Sequence, residues 1–187
     1  AEAFRALHDR RRTFVLPNAW DVASARNFEE SGFSAVATSS AGMMVSLGYP
    51  DGEEIPPKEF VAAVRRVAKA LTVPLSVDVV GGFGGLEATA KIVEGVIRAG
   101  GVGINIEDFR HESKALLPLE KQTAKLKGLL RLKDSIGIPF VINARTDALR
   151  YAPGGEGAKM KEAIKRGMAF RDLGVDCVQG GVERVYG

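Results

Sequence analysis

The amino-acid sequence predicts an α/β protein with a (β/α)8 TIM-barrel fold. Short β-branched runs bounded by Gly or Pro alternate with longer amphipathic stretches, a pattern typical of a parallel sheet with crossover helices. The strand candidates are almost wholly apolar, as expected for strands covered on both faces. Polar residues stand at or just after the end of each strand candidate, where a barrel builds its active site.

Six strands and six helices are predicted in alternation, with one helix before the first strand. The strands are expected at residues 13–16, 35–38, 75–79, 103–106, 140–143 and 176–178. The helices are expected at residues 2–11, 22–31, 58–71, 86–99, 119–135 and 159–173. All of them fit one domain over residues 1–187.

A complete barrel needs eight βα units, and only about six are found. Either the sequence lacks the last two units or the sheet is open. A doubly wound open sheet would gather ligands mainly at one switch point, whereas the polar residues here follow six strands. We therefore favour the barrel and expect an incomplete chain.

Composition excludes several function classes. The chain has 26 Lys and Arg against 23 Asp and Glu, and its dense basic run, residues 10–12, has no aromatic platform for nucleic acid. A single cysteine cannot form an intramolecular disulfide, and no apolar stretch reaches membrane-spanning length. We expect a cytoplasmic protein with neither a nucleic-acid nor a membrane partner.

The segment SVDVVGGFGG, residues 76–85, poses the central question of function. It lacks the third glycine of a dinucleotide fingerprint and the Gly-Lys-Ser/Thr ending of a P-loop. Its glycines are suited to a tight turn beside a ligand. Asp78 is then the informative residue, because it closes the third predicted strand.

Asp78 and Glu107 close neighbouring predicted strands, which lie about 4.8 Å apart, so their carboxylates can converge on one cation. Mg²⁺ fits best, since it accepts one or two carboxylates with waters and a substrate oxygen. Zn²⁺ fits poorly, because His8, His111 and Cys177 are scattered along the chain. Pairing of the two carboxylates with an arginine such as Arg145 is the alternative, and the two do not exclude each other.

Six segments in order resemble the isocitrate lyase/phosphoenolpyruvate mutase superfamily, above all its smaller, carboxyphosphonoenolpyruvate-mutase-like members. The segments are LPNAWDVASAR, ATSSAG, SLGYPDG, VDVVGGFGG, GINIED and INARTDA. The resemblance implies an (α/β)8 barrel assembled as a homodimer or homotetramer. It also implies Mg²⁺-dependent cleavage or formation of C–C or P–C bonds next to a 2-oxo acid or its enolate.

The resemblance also implies roles for individual residues. Asp78 matches a direct metal ligand that also meets the substrate, and Glu107 and Asp51 match outer-shell carboxylates of the metal. Arg145 matches the arginine that neutralises charge developing on the substrate. The remaining matches form a turn that binds a substrate carboxylate or phosphonate. The residues of this turn are Ser39, Ser40, Ala41 and Gly42.

Two departures from the family pattern bear on activity. Val80 stands where the family usually has an acidic residue, and loss of an outer-shell partner commonly weakens metal affinity by about 10- to 100-fold. The loop FRHESKALLP lacks the cysteine of true isocitrate and methylisocitrate lyases, so those two activities are not expected. His111 and Glu112 remain there as candidate proton donors.

The resemblance, taken with these departures, therefore implies a Mg²⁺-dependent lyase acting on a small 2-oxo or dicarboxylic acid through an enolate. Examples are oxaloacetate-type decarboxylation and methylisocitrate-like cleavage without the usual cysteine. A phosphonate mutase or hydrolase of the same superfamily is one alternative. The other is a non-catalytic relative that binds an anionic metabolite.

Overall fold

A computed structural model describes residues 1–8 and 13–181. Within these residues the strands are β1 (Asn18–Ala19), β2 (Val36–Thr38), β3 (Leu75–Asp78), β4 (Gly103–Glu107), β5 (Phe109–Arg110), β6 (Ala115–Leu116), β7 (Val141–Thr146) and β8 (Cys177–Gly180). The helices are α1 (Glu2–Ala6), α2 (Val22–Glu30), α3 (Ser40–Ser46), α4 (Pro57–Ala70), α5 (Leu86–Ala99), α6 (Leu119–Ile136), α7 (Ala148–Tyr151) and α8 (Glu156–Asp172).

Six of the strands form one parallel sheet in the order β1-β2-β3-β4-β7-β8, which is their order along the chain. Helices α2, α4, α5, α6 and α8 contact one another in the same succession. A doubly wound sheet reverses its strand order at a switch point, and this sheet does not. The prediction of a (β/α)8 barrel, present here as six of its units, is confirmed.

The small elements β5, β6, α3 and α7 were not predicted from the sequence. Strands β5 and β6 form an antiparallel hairpin after β4, α3 follows β2, and α7 follows β7. All of them lie just after the C-terminal ends of sheet strands. The additions therefore fall on the face where a barrel places its active site.

The predicted bounds fail at the N-terminal end of the chain. The first strand was expected at residues 13–16, but pairing with β2 begins at Asn18. The Ala37 N–H donates to the Pro17 carbonyl, so the hydrogen bonds to β2 begin just after the predicted strand at residues 13–16 has ended. The predicted helix over residues 2–11 ends at Ala6, and the basic run at residues 10–12 lies outside the described residues.

The core lies between the sheet and the helices, and a smaller cluster around Phe4 packs at the start of the strands. A side chain at Gly103 would meet the Phe4 ring, because a Cβ there would lie 2.5 Å from a ring carbon. Glycine at this position lets α1 approach β4. Among the described helices, none combines the length and the apolar character needed to cross a membrane.

Candidate active site

A cavity of about 1130 Å³ opens beyond the C-terminal ends of β2, β3, β4 and β7. Nine of the ten predicted site residues line it, namely Ser39, Ser40, Ala41, Asp51, Asp78, Glu107, His111, Glu112 and Arg145. The tenth, Gly42, is not in the lining. Its N–H donates to Ser39 Oγ at 3.2 Å, and a Cβ at Gly42 would lie 2.7 Å from Trp20 Cβ. The structure thus brings the predicted residues together, and their roles stay predictions.

Ser39 and Ser40 join β2 to α3. Ser39 is in extended conformation and caps α3 with its hydroxyl oxygen, as serine favours at a helix N-terminus. Ser40 is the first residue of the helix, and its hydroxyl donates to Asp78 Oδ2 at 2.8 Å. The turn is therefore tied directly to the end of β3.

Asp78 is a buried carboxylate held by neutral donors. Besides the Ser40 hydroxyl, its Oδ1 accepts from the Val80 N–H at 3.1 Å and from Asn105 Nδ2 at 3.3 Å. Its own N–H donates to Thr38 Oγ1 at 3.0 Å. Asp78 forms no ion pair with any described residue. The charge of Arg145 acts on it only from a distance, and a buried carboxylate without a direct ion pair is a suitable place for a cation.

Val80 is buried in the core with a φ of +55°. A β-branched residue rarely adopts positive φ, and such strain costs on the order of 1–3 kcal/mol. Its backbone makes two bonds at the site: the N–H donates to Asp78, and the carbonyl accepts from the Glu107 N–H at 2.9 Å. The unusual backbone thus fixes both carboxylate-bearing residues, while the side chain packs away from the cavity.

Glu107 lies between Asp78, His111 and Arg145. Burial is the largest cause that raises its pKa, and the charges of Asp78 and Asp147 add to the effect. The bond to His111 Nε2, 2.8 Å from Oε1, opposes the rise, as does Arg145, whose Nη1 lies 3.5 Å from Oε2. Negative charge is therefore crowded at this point, as expected where a cation binds.

His111 is held by the β5–β6 hairpin and not by an open loop. Its bond to Glu107 is the largest cause that raises the pKa of the imidazole, partial burial opposes the rise, and Asp51 and Glu53 add to it. A Cβ at Gly52 would lie 3.2 Å from His111 Cβ, so the segment after α3 packs against the imidazole. The hairpin also stacks Phe109 on Tyr151 of α7 with ring centroids 3.9 Å apart.

The guanidinium of Arg145 lies between the carboxylates of Glu107 and Asp147. Nε and Nη2 donate to Asp147 Oδ1 at 3.0 and 2.8 Å. Burial alone would lower the pKa of Arg145, but Asp147, Glu107 and Asp78 together raise it. Burial raises the pKa of Asp147, and its buried Oδ2 has no hydrogen-bond partner among the described residues. Arg145 therefore pairs with Asp147 and, more loosely, with Glu107, but not with Asp78.

The donor set suits Mg²⁺ better than Zn²⁺. Asp78 would supply a direct carboxylate ligand, with Glu107 and Asp51 on the same cavity wall for bonds through water. In the described part of the chain, no three His, Cys, Asp or Glu side chains gather closely enough to hold a metal ion by themselves, so a cation at Asp78 would take its further ligands from water or substrate. His8 and Cys177 instead line a separate cavity.

Two side chains whose role the sequence did not reveal, Glu53 and Lys125, hold the glycine-rich segment through three hydrogen bonds. Glu53 Oε1 accepts from the Phe83 N–H at 2.6 Å. Lys125 Nζ on α6 donates to the carbonyls of Gly81 and Gly84 at 2.6 and 3.1 Å. Phe83 itself has a φ of +60° and lines the cavity. Because the partners are 30 to 44 residues apart in sequence, no local motif signals these bonds.

Comparisons with known proteins find relatives along nearly the whole chain. The family model for phosphoenolpyruvate phosphomutase matches residues 4–180. The oxaloacetate decarboxylase of Rhodopseudomonas palustris is 30% identical over 95% of this chain and 61% of its own. The 2-methylisocitrate lyase of Bacillus subtilis is 29% identical over 95% of this chain and 58% of its own.

Among solved structures, a candidate phosphonomutase from Burkholderia cenocepacia superimposes with a TM-score of 0.88 at 30% identity. The match covers 97% of this chain and 74% of that one. The chain spans 58% to 64% of the length of the curated relatives that it matches.

Proposed function

Because the chain belongs to the phosphoenolpyruvate phosphomutase family, within the isocitrate lyase/phosphoenolpyruvate mutase superfamily, we propose that it is a Mg²⁺-dependent lyase. Its substrate is a small 2-oxo or dicarboxylic acid, in which a C–C bond breaks to leave an enolate. One observation carries the proposal: the buried carboxylates Asp78 and Glu107 share a cavity with Arg145 and with the hydroxyls that follow β2. The names of the lyase relatives support the reaction class.

The protein groups divide the work of such a reaction. A Mg²⁺ ion at Asp78, when bound, supplies electron withdrawal from the 2-oxo carboxylate. Arg145, fixed by Asp147, places a permanent cation where negative charge grows, and needs no rearrangement during the reaction. The turn from Ser39 to Ala41 lines the same cavity and offers polar groups to a substrate carboxylate or phosphonate.

We assign proton transfer to His111 and Glu112, which lie in the β5–β6 hairpin. His111 lies in the cavity wall with a raised pKa, so a larger fraction carries a proton near neutral pH than for a free histidine. Glu112 beside it is a second proton donor or acceptor. Because the cysteine of isocitrate and methylisocitrate lyases is absent, oxaloacetate-type decarboxylation is preferred to methylisocitrate-like cleavage.

Phosphonate mutase or hydrolase activity is the second candidate. It is supported by the description of the matching family and by the structural likeness to a candidate phosphonomutase. A non-catalytic relative is the third, supported by Val80, whose apolar side chain gives the metal no carboxylate. We further propose that the protein works in the cytoplasm as a homodimer or homotetramer.

Isothermal titration with Mg²⁺ and oxalate tests the proposal, since oxalate mimics the enolate of pyruvate. We expect oxalate to bind only when Mg²⁺ is present, and Asp78→Ala to abolish binding. Asp172→Ala is the matched control, because Asp172 is exposed and pairs only with Arg171 in the described residues. Metal-independent binding, or no binding by a folded full-length chain, would refute the lyase proposal.

A further inference from the structure

Asp108 and Arg166 form a buried ion pair that does not line the cavity. Their side chains are 0% and 6% exposed, and Arg166 Nη1 lies 2.9 Å from Asp108 Oδ2. Burying two charges costs desolvation free energy that their attraction often only offsets. The ion pair is therefore expected to add little to the stability of the fold. The other hydrogen bonds of Asp108 and Arg166 show which segments the pair holds in place.

The Asp108 carboxylate fixes the backbone that follows Arg145. Thr146 Oγ1 donates to Oδ2 at 2.7 Å, and the Asp147 N–H donates to Oδ1 at 2.9 Å. Asp147 in turn binds the Arg145 guanidinium through its own carboxylate. The orientation of Arg145 toward Glu107 thus depends on a carboxylate outside the cavity.

The Arg166 guanidinium fixes the base of the hairpin that carries His111. The same Nη1 donates to the Leu117 carbonyl at 2.9 Å. The Leu117 N–H donates back to the Asp108 carbonyl at 2.7 Å, which joins the two ends of the segment 108–117. Nη1 of Arg166 therefore contacts both Leu117, at the base of the hairpin, and Asp108, whose carboxylate holds the turn between β7 and α7.

We infer that Asp108 and Arg166 are positioning residues that hold the His111 hairpin and the Arg145 turn in one arrangement around Glu107. Both sides converge there, with His111 Nε2 at 2.8 Å and Arg145 Nη1 at 3.5 Å from the two carboxylate oxygens. Loss of the pair frees each side to move independently. A site with misplaced groups binds and reacts poorly even when every group is present.

Hydrogen exchange in metal-free buffer tests the inference without any substrate. Arg166→Lys keeps the charge but cannot reproduce the planar fork of a guanidinium. We expect amide exchange to accelerate about tenfold in both segments 109–117 and 145–151, and to stay unchanged in β2 and β3. Glu162→Gln is the matched control, because Glu162 accepts from Nε of the same guanidinium at 2.8 Å and its other ion-pair partner among the described residues is Lys165, on its own helix.

A milder variant separates the two sides. Thr146→Val removes the hydroxyl that donates to Asp108 and that also accepts from the Ala148 N–H at 3.3 Å. With the Ala148 amide left out of the comparison, exchange should accelerate in the rest of 145–151 but not in 109–117. Uniform acceleration across the sheet in Arg166→Lys, or an equal response of Glu162→Gln, would overturn the inference in favour of a merely structural ion pair.

Ligand binding gives a second measure, and it rests on the proposed function. The oxalate Kd in the presence of Mg²⁺ should rise about tenfold in Arg166→Lys and stay unchanged in Glu162→Gln. An unchanged Kd in Arg166→Lys would overturn the positioning role. If the unaltered protein binds no oxalate, the proposed function fails, and the exchange experiment still decides the inference.

Discussion

The two sides of the candidate site are fixed by different kinds of interaction. On the β3 side, Asp78 is held by neutral donors, and the chain beyond it follows a strained path through Val80. On the β7 side, Arg145 is held by charged groups, above all Asp147. The first side depends on backbone conformation and the second on ion pairs. Substitutions that remove charge should therefore act mainly on the second.

Removal of the Arg145 charge should have the largest effect. Arg145→Met leaves Glu107 and Asp147 buried without their shared cation, so the free energy of unfolding should fall by about 2–3 kcal/mol. Oxalate affinity should fall on the order of 100-fold, as expected when one fixed donor is lost. Urea unfolding and titration measure the two effects.

Arg171→Met is the control for this change, since Arg171 is an exposed arginine paired with Asp172. It should alter neither quantity by a measurable amount. Arg145→Met with undiminished stability would mean that the β7 side is not held by charge.

Substitution of Val80 should have a smaller effect that comes from the backbone. Val80→Ala and Val80→Gly both remove buried methyl groups, but only glycine adopts a φ of +55° without strain. We expect Val80→Gly to be about 1 kcal/mol more stable than Val80→Ala in urea unfolding, although glycine is normally the less stable of the two. If alanine proved the more stable, the β3 side would not be strained.

The pH dependence of His111 should be the smallest effect. The folded-state pKa of His111 is raised, chiefly by its bond to Glu107. The stabilisation from this bond is therefore complete below about pH 6.5, the unfolded pKa, and is lost as the pH rises through the folded pKa. In metal-free buffer, the stability difference between the unaltered protein and His111→Gln should be under about 1 kcal/mol and should shrink between pH 5.5 and 8.5. A difference that grew with pH would contradict this assignment.

The sequence predicted the parts of the fold that repeat a simple pattern. Apolar runs located five of the six sheet strands, and amphipathic stretches located the long helices to within three residues. The first strand was misplaced because residues 13–16 are β-branched and apolar in part, yet the bonds to β2 start only at Pro17. The hairpin β5–β6 has two residues in each strand, which is too short for a periodic signal.

The site was predictable where residues close consecutive strands. Asp78, Glu107 and Arg145 each stand at or near a strand end, and parallel strands bring those ends to one rim. The contacts that hold the site residues in place were not predictable, because each of them joins parts of the chain that are distant in sequence. Asp108 and Arg166 are 58 residues apart, and Glu53 meets the Phe83 N–H across 30 residues.

The contact between Trp20 and Gly42 gives the protein an internal optical reporter. Trp20 is the chain's one tryptophan, and it packs beside the turn that begins with Ser39. About half of its surface is exposed, so its emission responds to changes in nearby polarity. An anion that settles against Ser39 and Ser40 should shift that fluorescence without any attached label. Stopped-flow mixing could then follow ligand arrival at this wall of the cavity in real time.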